Sequence, residues 1–594
     1  MSSNASLPLR APYGTWKSPI DAKLISEAVR LSILSSVEDL LVDDITRDLY
    51  VLESRPSEGG RNAIVSASDD RDIYGAGWNA RSRVHEYGGA PALAYDGRVY
   101  FSNIMDGRMY CENPSYRYGD FTLHPRDKKW LVSILEDHTI DNATGIKTSL
   151  VAINTLTQEF RIIASGADFY SNPRFSPDGR FIVWKEWNFP YIPIQASNLM
   201  LAPFSIPDVP DAFPSVAAAV LVSGGNGKIN GEPTWTPANE LIFTTDKDGY
   251  LNPWILRNVE SDAAPKPEPL SSVTLPEEFG EPSWFLGLSS FALYDERRVL
   301  FSSFRSGRSQ LYLANLDTRE FIPVETPFVL IQHVRSLGDG KVVFVGKKAD
   351  DNSGVIEFSW CFPEGRTTHA ILYLPKNPDY AGGLPGELPP AIFNLHGGPN
   401  SMLDQALDWT KQYYSSRGWA WIDLNYNGST GYWPRLHGSL AGTVGADWID
   451  VKRSAIRGRS GGGFTTLQTL SSAIDSFQAG TASFPATDLI ALHVNCHKFQ
   501  SQYIPGLWKK RSPFYQASQI KAPVLVRGHI AIDRIVPPDQ TQDMAKTIEA
   551  NGGLVKYIEF EGEGHGWRKA DSIRRSIEEE LSFYQERFGL KEAS

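Results

Sequence analysis

The sequence predicts two joined folds: a β-propeller, followed by an α/β domain with a mostly parallel, doubly wound sheet. Three observations carry this expectation. From about Tyr50 to Trp360, short apolar runs alternate with Asp-Gly and Pro-Asp-Gly turns. Within that stretch, similar strand–turn–strand phrases recur at intervals of roughly 40–60 residues, a period that suits small antiparallel blades. From about His369, apolar runs instead alternate with helical stretches, the pattern of parallel strands covered on both faces. A large β-sandwich is the competing reading of the first half.

In the first half, the strand candidates are Arg98–Phe101, Leu150–Ile153, Phe181–Trp184, Leu241–Thr244, Val299–Phe301 and Lys341–Val345. They are punctuated at Asp96-Gly97, Asp106-Gly107, Asp178-Gly179, Asp248-Gly249 and Asp339-Gly340. Asp-Gly suits a tight hairpin because Gly accepts positive φ and Asp bonds its own backbone. In the second half, the runs are His369–Leu374, Ala391–Leu395, Ala420–Leu424, Ser454–Arg457, Leu489–Val494, Val524–Arg527 and Val555–Phe560. Helix candidates between them are Gly462–Ala473, Pro538–Ala550 and Ser572–Phe588. Ahead of the propeller, Ser18 caps an expected helix through Leu34, with Pro19 in its first turn and an apolar face of Ile20, Leu24, Ala28 and Leu31. The expected division is 1–45 (helical, packing on the other domains), 46–360 (propeller) and 361–594 (α/β domain).

Composition narrows the function classes. The 594 residues are 41% hydrophobic and 21% charged, which excludes a disordered chain. A net charge of -11 argues against a nucleic-acid binder, which needs a basic surface. Cys111, Cys361 and Cys496 lie far apart, so no disulfide framework or CxxC site is expected, and a reducing compartment fits. The start lacks the basic residues and apolar run of a signal peptide, and no stretch approaches the roughly 18 apolar residues of a membrane span. A cytoplasmic protein with no membrane and no nucleic-acid partner is expected, and homo-oligomers are left open. The glycine run Gly224–Ile229 lacks P-loop spacing, and no HExxH is present. His493 and His497 are spaced four apart with no third ligand, which favours core packing over metal binding. No cofactor or metal is called for.

The chemistry is concentrated in Gly458-Arg459-Ser460-Gly461-Gly462, a G-x-S-x-G that runs from a strand into a helix. A bare G-x-S-x-G is common by chance, so its setting matters. Between a strand and a helix it reads as a nucleophile elbow: the glycines let the backbone approach closely, and the helix N-terminus favours an oxyanion. Asp533 follows the strand ending at Arg527, and His565 follows the strand ending at Phe560. Ser, acid, His, each after a strand end, is the α/β-hydrolase order. Upstream, His396-Gly397-Gly398-Pro399 follows another strand, where a second oxyanion amide is expected. His396 is read as orienting that glycine loop rather than as the base.

These motifs are joined by Asn425–Tyr432 (NYNGSTGY), His497–Tyr503 (HKFQSQY), Glu561–Ala570 (EGEGHGWRKA), Glu53–Arg61 (ESRPSEGGR), Arg83–Gly89 (RVHEYGG) and Ser176–Pro193 (SPDGRFIVWKEWNFPYIP). Together they make the chain, from Ser18 to Leu590, resemble the prolyl oligopeptidase family of serine peptidases, in its dipeptidyl-aminopeptidase and acylaminoacyl-peptidase branch. The resemblance implies a seven-bladed propeller capping an α/β-hydrolase domain and restricting entry to short peptides. It implies Ser460 as nucleophile, His565 as base and acid, Asp533 as orienter, and the Gly461 and Gly398 amides as oxyanion hole. The implied partners are short peptides or acylated small molecules. Glu86, near Arg83, is a candidate reader of a substrate amine or basic group, against an internal Glu86–Arg83 salt bridge. One departure stands out. The path from Tyr432 to Arg453 (YWPRLHGSLAGTVGADWIDVKR) is shorter than the family pattern by roughly one helix. That leaves one sheet face beside Ser460 thinly covered. The alternatives it keeps open are a lost segment, or a weakened or repurposed hydrolase domain. Release of dipeptides or acylamino acids, hydrolysis of a non-peptide amide or ester, and a silent scaffold all remain readings of the sequence.

Overall fold

The structure is a computed structural model. It describes residues 8–27, 37–106, 113–209, 212–225, 227–260, 264–281, 283–349, 355–361, 367–398, 400–426, 428–432, 450–495, 497–501, 511–530 and 533–590.

The second half is built on one eight-stranded sheet. Its strands are Val355–Cys361 (β1), Thr367–Tyr373 (β2), Ala391–Leu395 (β3), Ala420–Asn425 (β4), Ser454–Arg459 (β5), Ala479–Ser483 (β6), Val524–His529 (β7) and Val555–Phe560 (β8). The spatial order is β1-β2-β4-β3-β5-β6-β7-β8. The β1/β2 and β2/β4 pairs are antiparallel, and every pair from β4 to β8 is parallel. Alternate side chains feed two cores. Ala391, Phe393, Leu395, Ile422, Ile456, Val524 and Val526 pack with Leu467, Leu470, Met544 and Ile548, from helices Gly461–Ser472 and Pro538–Ala550. Ile392, Trp421, Ala455 and Leu525 pack on the opposite face with Tyr414, Ile577, Leu581 and Tyr584, the last three from helix Ala570–Phe588. Strands buried on both faces explain the near-continuous apolar runs.

One expected strand is wrong. Leu489–Val494 lies in a helix, Leu489–Asn495, and the strand beside β5 is Ala479–Ser483. The sequence AGTAS carries little hydrophobic signal because the space is small: a Cβ on Gly480 would lie 2.5 Å from Leu470 Cδ1. The N-terminal helix also differs from expectation. It begins at Ala22, and Asp21 Oδ1 accepts the Leu24 amide at 2.6 Å, so Asp21 rather than Ser18 caps it. Ser18 Oγ instead accepts the Ile20 amide and lies 2.7 Å from Ser416 Oγ. The buried positions of the helix are Ala22 and Ser26, with Ile25 partly buried. Residues 28–36 lie outside the described residues, and with them Ala28, Leu31 and Leu34. Most of the short crossover, 433–449, lies outside them too.

Among the described residues, the first half holds five antiparallel sheets of four or more strands, within residues 37–72, 116–164, 169–223, 234–269 and 291–324, and two two-stranded sheets, Ala92–Tyr95 with Arg98–Phe101 and Phe328–Gly338 with Lys341–Lys348. This is a β-propeller. Its first sheet opens at Val37, inside the segment 1–45 read as helical, and β1 already pairs in the α/β sheet ahead of residue 361. Asp96-Gly97 and Asp339-Gly340 make the expected tight turns, with φ of 53° and 72°, and of 51° and 69°. Two successive positive φ angles match the twist of the flanking strands.

The halves interlock through residues 497–501. Phe499 is buried among Phe169, Trp187 and Ile192 of the propeller. Lys498 Nζ donates to the Asp168 carbonyl at 2.6 Å and to Thr148 Oγ1 at 3.1 Å. His497 is buried, with its ring against Tyr87 and Phe499, in keeping with packing rather than ligation. His493, at the end of the preceding helix, is only partly buried.

Candidate active site

Ser460 joins β5 to the helix Gly461–Ser472 with φ 53° and ψ -121°. Only a tightly held turn keeps a serine there. The glycines explain how. A Cβ on Gly458 would lie 2.2 Å from the Gly462 carbonyl oxygen, and one on Gly462 would lie 2.5 Å from that of Leu395. The Ser460 amide donates to the Ser483 carbonyl at 3.0 Å, fixing the elbow to the end of β6.

The glycine loop after β3 packs against this elbow. The Gly398 amide nitrogen would be only 3.1 Å from a Cβ on Gly461, so the two amides expected to serve an oxyanion are neighbours. His396 holds this loop in place. Its Nε2 is 2.7 Å from Ser429 Oγ, and its ring stacks on Tyr426 at 4.2 Å. The Tyr426 hydroxyl lies 2.9 Å from the carbonyl oxygens of His396 and Gly398. Burial pulls the His396 pKa down to about 4, so the imidazole is neutral near pH 7.

Asp533 and His565 meet on the loops after β7 and β8. His565 Nδ1 donates to Asp533 Oδ2 at 2.7 Å. Asp533 Oδ1 accepts the amides of Ile535 and Val536 at 2.8 and 3.1 Å. Burial pushes this carboxyl up, but the His565 charge and bonds from His529 and His565 outweigh it and hold it below the usual carboxylate range. Phe484, which follows β6, packs its ring edge-on against His565 at 4.8 Å. The Ser460 amide bonds the carbonyl of Ser483, one residue earlier, so the ends of β5, β6, β7 and β8 converge here. Among the described residues, no hydrogen bond joins the Ser460 hydroxyl to His565.

His529 was missed by sequence reasoning. Its Nε2 is 2.7 Å from Asp533 Oδ2, so the carboxylate sits between two imidazoles. The donor atoms of His529, Asp533 and His565 lie within 4.8 Å of one another, close enough to ligate a metal. Both carboxylate oxygens are already engaged, which suits an orienting role. His529 ends an apolar strand, where a lone histidine gives no signal.

Glu86 does not pair with Arg83, the alternative weighed against its reading a substrate amine. Glu86 Oε1 accepts from Arg117 Nη1 at 2.7 Å, and Arg117 also donates to the Arg83 carbonyl at 3.0 Å. Arg83 has no salt bridge among the described residues and is exposed. His85 and Glu86 have φ of 58° and 64°, and Glu86 faces Arg117 of the neighbouring sheet. Arg534, beside Asp533, donates to both carboxylate oxygens of Asp141 at 2.6 Å, bridging the two halves. Its partner lies 393 positions away, beyond any local pattern.

Residues 440–591 match the model of the prolyl oligopeptidase family. The chain is 26% identical over 284 residues to dipeptidyl aminopeptidase BIII of Pseudoxanthomonas mexicana, a match covering 42% of this chain and 41% of that one. It is 26% identical over 213 residues to an Arabidopsis thaliana acylamino-acid-releasing enzyme, covering 30% of this chain and 28% of that one. The matches thus span well under half of these curated relatives. A solved puromycin-hydrolyzing peptidase of Mycobacterium tuberculosis superposes with a TM-score of 0.86 at 28% identity, covering 98% of both chains.

Proposed function

The chain belongs to the prolyl oligopeptidase family of serine peptidases, and on that premise we propose that it hydrolyses short peptides through an acyl-enzyme on Ser460. The observation that carries this reading is the 2.7 Å bond from His565 to an ionised, doubly anchored Asp533, at the strand ends that also hold the strained Ser460. In this mechanism Asp533 fixes the imidazole with Nδ1–H towards the carboxylate, which leaves Nε2 free to accept the Ser460 proton. Ser460 Oγ attacks the acyl carbon, and the amides of Gly461 and Gly398 stabilise the oxyanion. His565 then protonates the leaving nitrogen, and water, deprotonated by the same imidazole, releases the acyl group. The seven sheets of the first half are read as seven blades of one cap, which limits substrates to short chains. Glu86, already paired with Arg117, is not needed for an amine in this scheme. That favours release of acylated or carboxyl-terminal pieces over strict aminopeptidase action.

The test is covalent labelling by a fluorophosphonate. Wild-type protein labels at Ser460, and Ser460→Ala does not; a folded wild-type sample that stays unlabelled overturns the reading. The relative described as puromycin-hydrolyzing motivates a second substrate class, small amides and esters. A panel of aminoacyl, acylaminoacyl and ester substrates, with puromycin included, ranks the two classes by kcat/KM.

A further inference from the structure

Each residue of the proposed catalytic set has an arginine beside or near it: Arg459 before Ser460, Arg534 after Asp533 and Arg568 three residues after His565. Arg534 is neutralised by Asp141. Among the described residues, Arg459 and Arg568 have no ion pair, and neither have Arg81 and Arg83, which line a separate cavity of about 170 Å³ within the propeller. In a chain of net charge -11, an Arg568 without an ion pair so close to His565 calls for a ligand.

Arg568 lines a cavity of about 650 Å³ between the first and last propeller sheets and the α/β domain. His565 lines it; Ser460 and Asp533 do not. Arg568, Lys347 and Lys348 are its cations, and Glu38 and Asp408 its anions. Asp408 is already spent capping the helix Trp409–Ser415, accepting the amides of Thr410 and Lys411 at 2.6 and 3.2 Å. Arg81 lies behind this wall, within electrostatic reach of Arg568, Glu38 and Arg83. Burial, with the like charges of Arg568 and Arg83, pulls its pKa down to about 9 against the weaker pull of Glu38. Arg81 and Arg568 repel each other, and an anion bound at Arg568 would relieve the repulsion.

We propose that this cavity is the leaving-group subsite and that it recognises a free carboxylate, so that the preferred substrates are short peptides cut close to their C-terminus. The inference rests on the hydrolase reading above. Its logic is positional. The group that protonates the departing nitrogen is His565, so the departing fragment lies on the His565 side, and that side is this cavity. A fragment one or two residues long carries its terminal carboxylate into reach of Arg568, with Lys347 and Lys348 opposite and Arg81 behind. Guanidinium groups bind carboxylates through two parallel bonds, which selects the acid over the amide.

The experiment compares two peptides identical except at the C-terminus, acetyl-tetraalanine as free acid and as carboxamide, at low salt with fluorophosphonate-labelled Ser460 as a parallel readout. Wild-type enzyme is expected to favour the acid at least tenfold in kcat/KM, chiefly through KM, and added NaCl shrinks the preference. Arg568→Gln brings the ratio below threefold, whereas Arg568→Lys keeps most of it. Lys347→Gln combined with Lys348→Gln gives the same direction of change if Arg568→Gln does not fold. Equal rates on the two peptides by an enzyme that still labels overturn the subsite and leave the hydrolase reading standing. A strong preference unmoved by either set of variants overturns this location for it. Absence of labelling overturns both.

Discussion

Ser460 sits at φ 53°, a conformation that costs a non-glycine residue about 1–3 kcal/mol. Glycine pays little of that cost. Ser460→Gly is therefore expected to be inactive yet more stable than Ser460→Ala by about 1 kcal/mol, read from urea midpoints; an Ala variant at least as stable would mean the elbow is not strained. Asp533 makes a different claim. Its carboxylate accepts two backbone amides and the His565 proton. Asp533→Asn preserves the shape but presents a donor where His565 needs an acceptor. A loss of about 10³–10⁴ in kcat with the fold intact is expected; a loss below tenfold would remove Asp533 from the mechanism.

Among the elements, the C-terminal helix Ala570–Phe588 is held by more than its apolar stripe. Glu580, about 1% exposed, lies 3.0 Å from Arg457 Nε of β5 and 3.5 Å from Arg527 Nη1 of β7. Tyr584 donates to Thr481 of β6 at 2.7 Å. Glu580→Ala leaves two buried guanidinium groups without their counter-ion and is expected to cost about 3–5 kcal/mol; circular dichroism on chemical denaturation measures it, and a loss under 1 kcal/mol would show the network to be dispensable. That network is also a measure of what the sequence can say. Ala391–Leu395, Val555–Phe560 and Pro538–Ala550 are legible to the residue because apolar period and flanking turns agree. The strand Ala479–Ser483 is not, since a small-residue strand under Leu470 has no hydrophobic signature. Leu489–Asn495 misleads, because a short apolar run serves a helix or a strand equally well. The residues proposed for catalysis are readable from their places after strand ends. The partners that fix them, His529, Tyr426 and Asp141, are not, because they are set by tertiary approach.

At the scale of the whole molecule, the two halves meet through charges and buried rings. Arg534 and Asp141 form a two-pronged bridge that ties the Asp533 loop to the propeller. Asp141→Ala is expected to lower kcat/KM about tenfold, and pairing Asp141→Arg with Arg534→Asp to recover part of the loss; a single variant with unchanged kinetics would make the bridge incidental. His85 adds a pH term. It is enclosed by Phe169, Trp187 and Phe499, with Glu136 at 4.0 Å. Burial takes its pKa down to about 4, against the pull of Glu136 and with the like charge of Lys498. The unfolded chain takes up this proton near pH 6.5, so the stability His85 contributes is complete above that pH and is lost as pH falls towards 4. Relative to His85→Phe, the wild-type protein should therefore lose up to about 3 kcal/mol across that window. Parallel stability curves for the two proteins would refute the assignment.

Phe499 and the Lys498 ammonium finish a nest whose walls come from the other half of the chain. Cutting the gene between the halves would leave a greasy socket on one fragment and an orphaned cation on the other. Swapping caps among relatives would succeed only where socket and plug travel together.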